Sequence, residues 1–153
     1  MRSSRRWTRA SVYIVAVLVA YAAGCSNAPS SSNPAPATAD VTALIAAGDP
    51  ERGAAIFLGQ AADVAAPACV TCHAVEAGAA PTSLGPNLTG IAIRAGTTVP
   101  NQSAEAYLWE SIVAPNTHLA PGYSENIMLT VYGDLLTEQD IADVVRYLLT
   151  LES

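Results

Sequence analysis

ACVTCHAV, residues 68–75, places two cysteines two residues apart with a histidine directly after the second. Cys69, Cys72 and His73 can serve as zinc ligands, as a redox dithiol or as the attachment site of a covalent haem. A structural zinc site needs four ligands. The motif supplies three, and His118 is the only other histidine of the chain. A redox dithiol sits at the start of a helix in an α/β unit, whereas no segment of this sequence reads as a strand of any length. The spacing favours covalent haem. Each thiol adds to one vinyl group of the same porphyrin, and two intervening residues in a helical turn match the separation of those vinyls. His73, next in the chain, is then carried beneath the iron as the proximal ligand.

Upstream, MRSSRRWTR is basic, and the apolar run from Ala10 to Gly24 is short for a bilayer span and suited to the core of an export signal. The run ends in AAGC, which resembles a bacterial lipobox with Ala22 in the place where Leu is preferred. The resemblance implies that Cys25 is lipidated and becomes the mature N-terminus. An uncleaved anchor, an ordinary cleaved signal and a poor twin-arginine signal are the other readings of the same segment. The expected organisation is a lipoprotein-type export signal over 1–24, a disordered Pro/Ser/Ala tether over 25–39 and a folded domain over 40–153. This places the domain on the outer face of the cytoplasmic membrane, the periplasmic side.

Four of the seven arginines lie before Cys25, there is no lysine, and all thirteen acidic residues follow it. The region after the signal therefore sets three cations against thirteen acids, a formal charge of −10. Such a balance argues against nucleic acid and against anionic membrane surfaces as partners of the domain itself. If Cys25 carries lipid and Cys69 and Cys72 carry a cofactor, no cysteine is left for a disulfide.

The domain reads as all-α. A short apolar-periodic stretch over 41–48 precedes a sharp helix start, with Asp49 as N-cap and Pro50 at the first helical position. Gly53 and Phe57, four apart, share a face of that helix. AEAYLWESIVA (104–114) predicts a second helix, capped by Asn101 or Ser103 and stopped by Pro115. LTEQDIADVVRYLLTL predicts the last, with Thr137 and Asp140 resembling a capping box and apolar positions at 141, 144, 145 and 148. The segments 81–102 and 115–134 read as Gly/Pro/Asn-rich loops. Long loops on few helices need something to pack against, and a bound cofactor supplies the missing core.

Iron in such a site needs a sixth ligand or an open face. After the signal the chain has one methionine, Met128, 55 residues beyond His73, and His118 lies ten residues before it. A thioether on a Pro/Gly-rich loop suits a rigid electron-transfer site and raises its potential. Met128 is therefore preferred, with His118 as the alternative.

CVTCH at 69–73, LGPNLTG at 84–90, PGYSENIM at 121–128 and DIADVVRYLLTL at 140–151, in this order, resemble the class I c-type cytochromes. The resemblance implies a small helical bundle around one covalent haem c, with Gly53, Phe57 and Tyr147 at the crossing of the first and last helices. It further implies that the Pro86 carbonyl accepts the proximal histidine's hydrogen bond, and that Met128 is the axial methionine. YLWESIVAPNTHLAPGYSENIM is similar to cytochrome domains associated with subunit II of haem-copper oxidases. It is also similar to the lipid-anchored monohaem subunit of alternative complex III. By that likeness Arg94 and Trp109 approach the haem propionates. Three departures stand out: the interval from Phe57 to Cys69 is longer than usual, the lysines of many soluble cytochromes are missing, and no second domain is expected. The implied function is single-electron transfer by a membrane-tethered monohaem protein of a respiratory or photosynthetic chain. It would be a carrier or a subunit of a quinol-oxidising or oxidase complex. A peroxidase-like haem enzyme, or a redox or gas sensor with an open sixth position, is the alternative.

Overall fold

A computed structural model describes residues 38–153, with side chains from Asp40 onward. The export signal, Cys25 and the tether up to residue 37 lie outside the described residues. The described part holds six α-helices and no strand: α1 (Thr38–Ala46), α2 (Pro50–Phe57), α3 (Ile91–Thr98), α4 (Ala104–Val113), α5 (Tyr132–Leu135) and α6 (Glu138–Leu148). Helix α1 begins two residues earlier than the expected domain boundary, taking Thr38 and Ala39 from the tether. None of these helices is long and apolar enough to cross a membrane.

Helix α2 starts where the sequence dictates. The Asp49 carboxylate accepts from the backbone N–H groups of Glu51 (2.9 Å) and Arg52 (3.3 Å), and Pro50 occupies the first helical position. Helix α6 starts on a reciprocal capping box: Thr137 Oγ1 accepts from the Asp140 N–H at 3.1 Å, and Asp140 Oδ2 accepts from the Thr137 N–H at 3.1 Å. The two helices make the most extensive helix–helix contact of the domain. Gly53 lets them meet. A Cβ there would lie 2.0 Å from the Asp143 carbonyl oxygen and 2.9 Å from Tyr147 Cβ. Beside it the Phe57 and Tyr147 rings pack tilted, 5.5 Å between centroids. The core is built around this crossing, with Ile45, Phe57, Val144 and Val145 almost wholly enclosed.

Two helices lie inside segments that read as loops. α3 follows Gly90 without a side-chain cap, and its sequence IAIRAGTT contains a Gly and four β-branched residues. Packing decides the matter instead: Ile91 and Ala95 are buried, and α3 lies against α4. α5 is a single turn whose Tyr132 enters the core. The cap of α4 is Ser103, which accepts from the Ala106 N–H at 3.2 Å.

Arg52 ties three parts of the chain together. Its guanidinium bonds Asp63 in the long interval before Cys69 (2.9 and 3.3 Å) and Asp140 at the start of α6 (2.9 Å). Its Nε lies 3.8 Å from Asp143. Asp143, almost fully buried, spends its other oxygen on the Asp49 N–H (2.8 Å) and the Gln139 amide (2.7 Å). The interval itself packs Val64 and Ala66 onto the core.

Burial works against the ionised form of Asp140, but the Thr137 hydroxyl, the Arg52 guanidinium and the Thr137 N–H together hold its carboxyl below the usual carboxylate range. A carboxyl depressed on folding stabilises fully above its unfolded value of about 3.9. That contribution is lost as the pH falls through the lower folded value. Asp140→Asn should lose about 1–2 kcal/mol at pH 7 in a urea titration. This is less than the roughly 3–5 kcal/mol of a fully buried pair because Arg52 stays partly in water. The gap between the two proteins should narrow progressively below about pH 4.

Candidate haem site

The Cys-Val-Thr of the motif forms a 3₁₀ turn over Cys69–Thr71. The N–H groups of Cys72 (3.1 Å) and His73 (3.0 Å) both donate to the Cys69 carbonyl, and the Thr71 hydroxyl closes on the Ala68 carbonyl at 2.6 Å. The turn brings both half-buried thiols and the imidazole to one place. Burial pushes the Cys69 thiol up to about 11, so it stays protonated at neutral pH.

His73 is fixed from its far side. Nδ1 lies 3.0 Å from the Pro86 carbonyl, and because only an N–H can bond to that acceptor, the tautomer has its proton on Nδ1. Nε2 is left with its lone pair. Burial lowers the imidazole's affinity for a second proton, against the opposing effect of the Pro86 bond. His73 is thus a neutral, oriented nitrogen donor. The segment that delivers Pro86 runs hard against it. A Cβ on Gly85 would stand 2.8 Å from both the Cys72 carbonyl oxygen and His73 Cε1. The Thr82 hydroxyl donates to the Cys72 carbonyl (2.8 Å) and accepts from the Gly85 N–H (3.0 Å). Farther on, the Asn87 amide donates to the carbonyls of Glu76 (3.0 Å) and Ala79 (2.7 Å).

A cavity of about 350 Å³ opens beside His73, a size usual for cofactor sites. Cys69, His73, Arg94, His118 and Met128 all line it, with apolar walls from Phe57, Ile91 and Val144 among others. A second cavity of about 70 Å³ shares Cys69, His73 and Met128 and adds Cys72. His118 is absent from that smaller space and is engaged elsewhere: its Nε2 lies 3.3 Å from Glu110 and its ring 6.2 Å from that of Tyr107.

Arg94 lies on α3, its guanidinium donating to the carbonyls of Thr89 and Asn87. Trp109 packs half-buried on the core and is not among the residues lining either cavity. The face of α4 turned to the larger cavity carries Tyr107, Leu108, Ser111 and Ile112. These positions follow helical spacing in the sequence, so the stripe was readable. What the sequence did not show was which stripe met the cavity, because that depends on where α3 packs.

The donor chemistry fits a covalently attached haem: two thiols on one turn, an imidazole already committed through Nδ1, a thioether on the same cavity wall and an apolar lining. The family model for cytochrome c matches residues 50–152. Comparison with curated proteins and with solved structures finds no match. The chain belongs to the cytochrome c family and is a c-type cytochrome of class I that binds one haem c covalently. Its general role is haem-based electron transfer.

Gly85→Ala should force the segment carrying Pro86 away from His73. Overpacking of this kind costs about 1–3 kcal/mol. Thermal unfolding should show that loss, and the nitrogen resonance of His73 Nδ1 should shift as its hydrogen bond lengthens.

Proposed function

We propose that this protein is a membrane-tethered monohaem electron carrier in which Cys69 and Cys72 form the two thioether links and His73 and Met128 are the axial ligands. The observation that carries the reading is that Cys69, His73 and Met128 wall both cavities, with Cys72 joining them in the smaller one. Haem c, when bound, supplies the one-electron Fe(III)/Fe(II) couple. The protein supplies the rest. The Pro86 carbonyl orients the His73 imidazole and leaves Nε2 as the donor. A thioether from Met128 favours the reduced state and so a higher potential. Phe57, Leu108 and Val144 give the cavity an apolar wall. Arg94 brings positive charge to the cavity wall and is the residue for the propionate carboxylates.

Lipid on Cys25 and a tether over 25–37 would hold the domain on the outer face of the cytoplasmic membrane. Tethering raises its effective concentration beside a membrane complex. The partner is a quinol-oxidising complex or a haem-copper oxidase, as the likeness over 107–128 implies. The absence of lysine fits such an arrangement, because a fixed neighbour does not need long-range electrostatic steering.

The deciding experiment is an absorption spectrum of protein matured in a host with haem-attachment machinery, before and after acid–acetone extraction. Haem that stays with the polypeptide, together with the far-red band of oxidised Met-ligated iron, is the expected result. Retained haem without that band would remove Met128 and leave His118 or an open position. Loss of haem on extraction would sink the covalent assignment. For the tether, Cys25→Ser should abolish incorporation of labelled fatty acid and move the cytochrome from the membrane to the soluble exported fraction; retention in the membrane would point to an uncleaved anchor.

A further inference from the structure

The segment that carries Met128, residues 114–131, joins α4 to α5 without regular structure of its own. Its ties are few. Asn116 and Asn126 close it on itself through two hydrogen bonds, 3.0 and 2.9 Å. His118 leans back on Glu110 of α4. One side chain reaches the other half of the site: the Tyr123 hydroxyl donates to the Thr82 carbonyl at 3.0 Å, bridging 41 residues of chain. Tyr123 is half-buried, and its ring also lines the larger cavity.

Thr82 is a fixed anchor. Its own hydroxyl bonds the Cys72 carbonyl at 2.8 Å and takes the Gly85 N–H at 3.0 Å. Gly85 precedes Pro86, whose carbonyl holds His73. The phenol of Tyr123 therefore docks the loop of one candidate ligand onto the hydrogen-bonded frame of the other. An irregular segment held by so few bonds opens locally at a cost set by those bonds. Resting on the His73/Met128 reading above, we propose that Tyr123 is a positioning residue. Its bond to Thr82 keeps the Met128 loop closed and sets how readily the sixth ligand gives way to an outside donor.

The test uses the haem-loaded, oxidised protein with imidazole as the competing donor, followed by bleaching of the far-red band. Tyr123→Phe keeps the ring in the cavity wall and removes only the hydroxyl. Loss of one hydrogen bond of ordinary net strength should tighten apparent imidazole binding about five-fold. Thr82→Val frees the same anchor from the proximal side, so the double variant should gain little beyond either single change. Tyr123→Phe with unchanged imidazole binding and only a lower unfolding temperature would reduce the tyrosine to a structural contact and overturn the inference. Additive gains in the double variant would also overturn it. A wild-type protein without the far-red band would overturn the Met128 assignment and this inference with it, whereas the other two outcomes leave that assignment standing.

Discussion

The approach of α2 to α6 at Gly53 is the constraint on which the domain depends. No side chain fits between Gly53 and the Asp143 carbonyl, so α2 and α6 are locked at one height and one rotation. That lock sets Phe57 against Tyr147 and turns Phe57, Val144 and Leu148 toward the larger cavity. The back wall of the haem site is thus the inner surface of the helix crossing. A change that loosened the crossing would alter cavity shape before it reached any candidate ligand. Interiors packed at crystal-like density pass such shifts on.

The candidate ligands hang from loops, and each loop is disciplined by polar contacts in addition to its packing on the core. The turn over 69–71 folds on the Cys69 carbonyl; the stretch 82–87 is tied to the Cys72 carbonyl by the Thr82 hydroxyl and to the carbonyls of Glu76 and Ala79 by the Asn87 amide. Polar side chains thus do for this half of the site what apolar packing does for the helical half. The division suits a domain whose interior is completed by a prosthetic group. The loops must present fixed atoms to it, while the helices need only offer an apolar wall.

Much of this was legible beforehand, and the reasons differ by element. Caps and breakers announced α2, α4 and α6, because Asp49-Pro50, Ser103 and Thr137/Asp140 satisfy backbone donors through local chemistry. The glycine and aromatics of the crossing were legible through family likeness, as was the Pro86 carbonyl. α3 was not: its residues are weak helix formers, and its helicity is conferred by burying Ile91 and Ala95 on α4. The same non-local packing decides which side of α4 lines the larger cavity, since that depends on α3 and on the 115–131 segment. Tyr123 stood in a legible motif, PGYSENIM, but its bond to Thr82 carried no signal, since a contact spanning 41 residues leaves no local pattern.

Arg52 has a consequence for the irregular chain between Phe57 and Cys69. Extending a loop is entropically mild, about 0.6 kcal/mol for each doubling. The hazard of an insertion lies in slack beside a site that must stay rigid. Here the chain is moored midway, with Asp63 on the same guanidinium that grips Asp140. The interval is thereby divided into two short spans, each pinned at both ends, so its length brings little slack to the turn that carries Cys69 and Cys72.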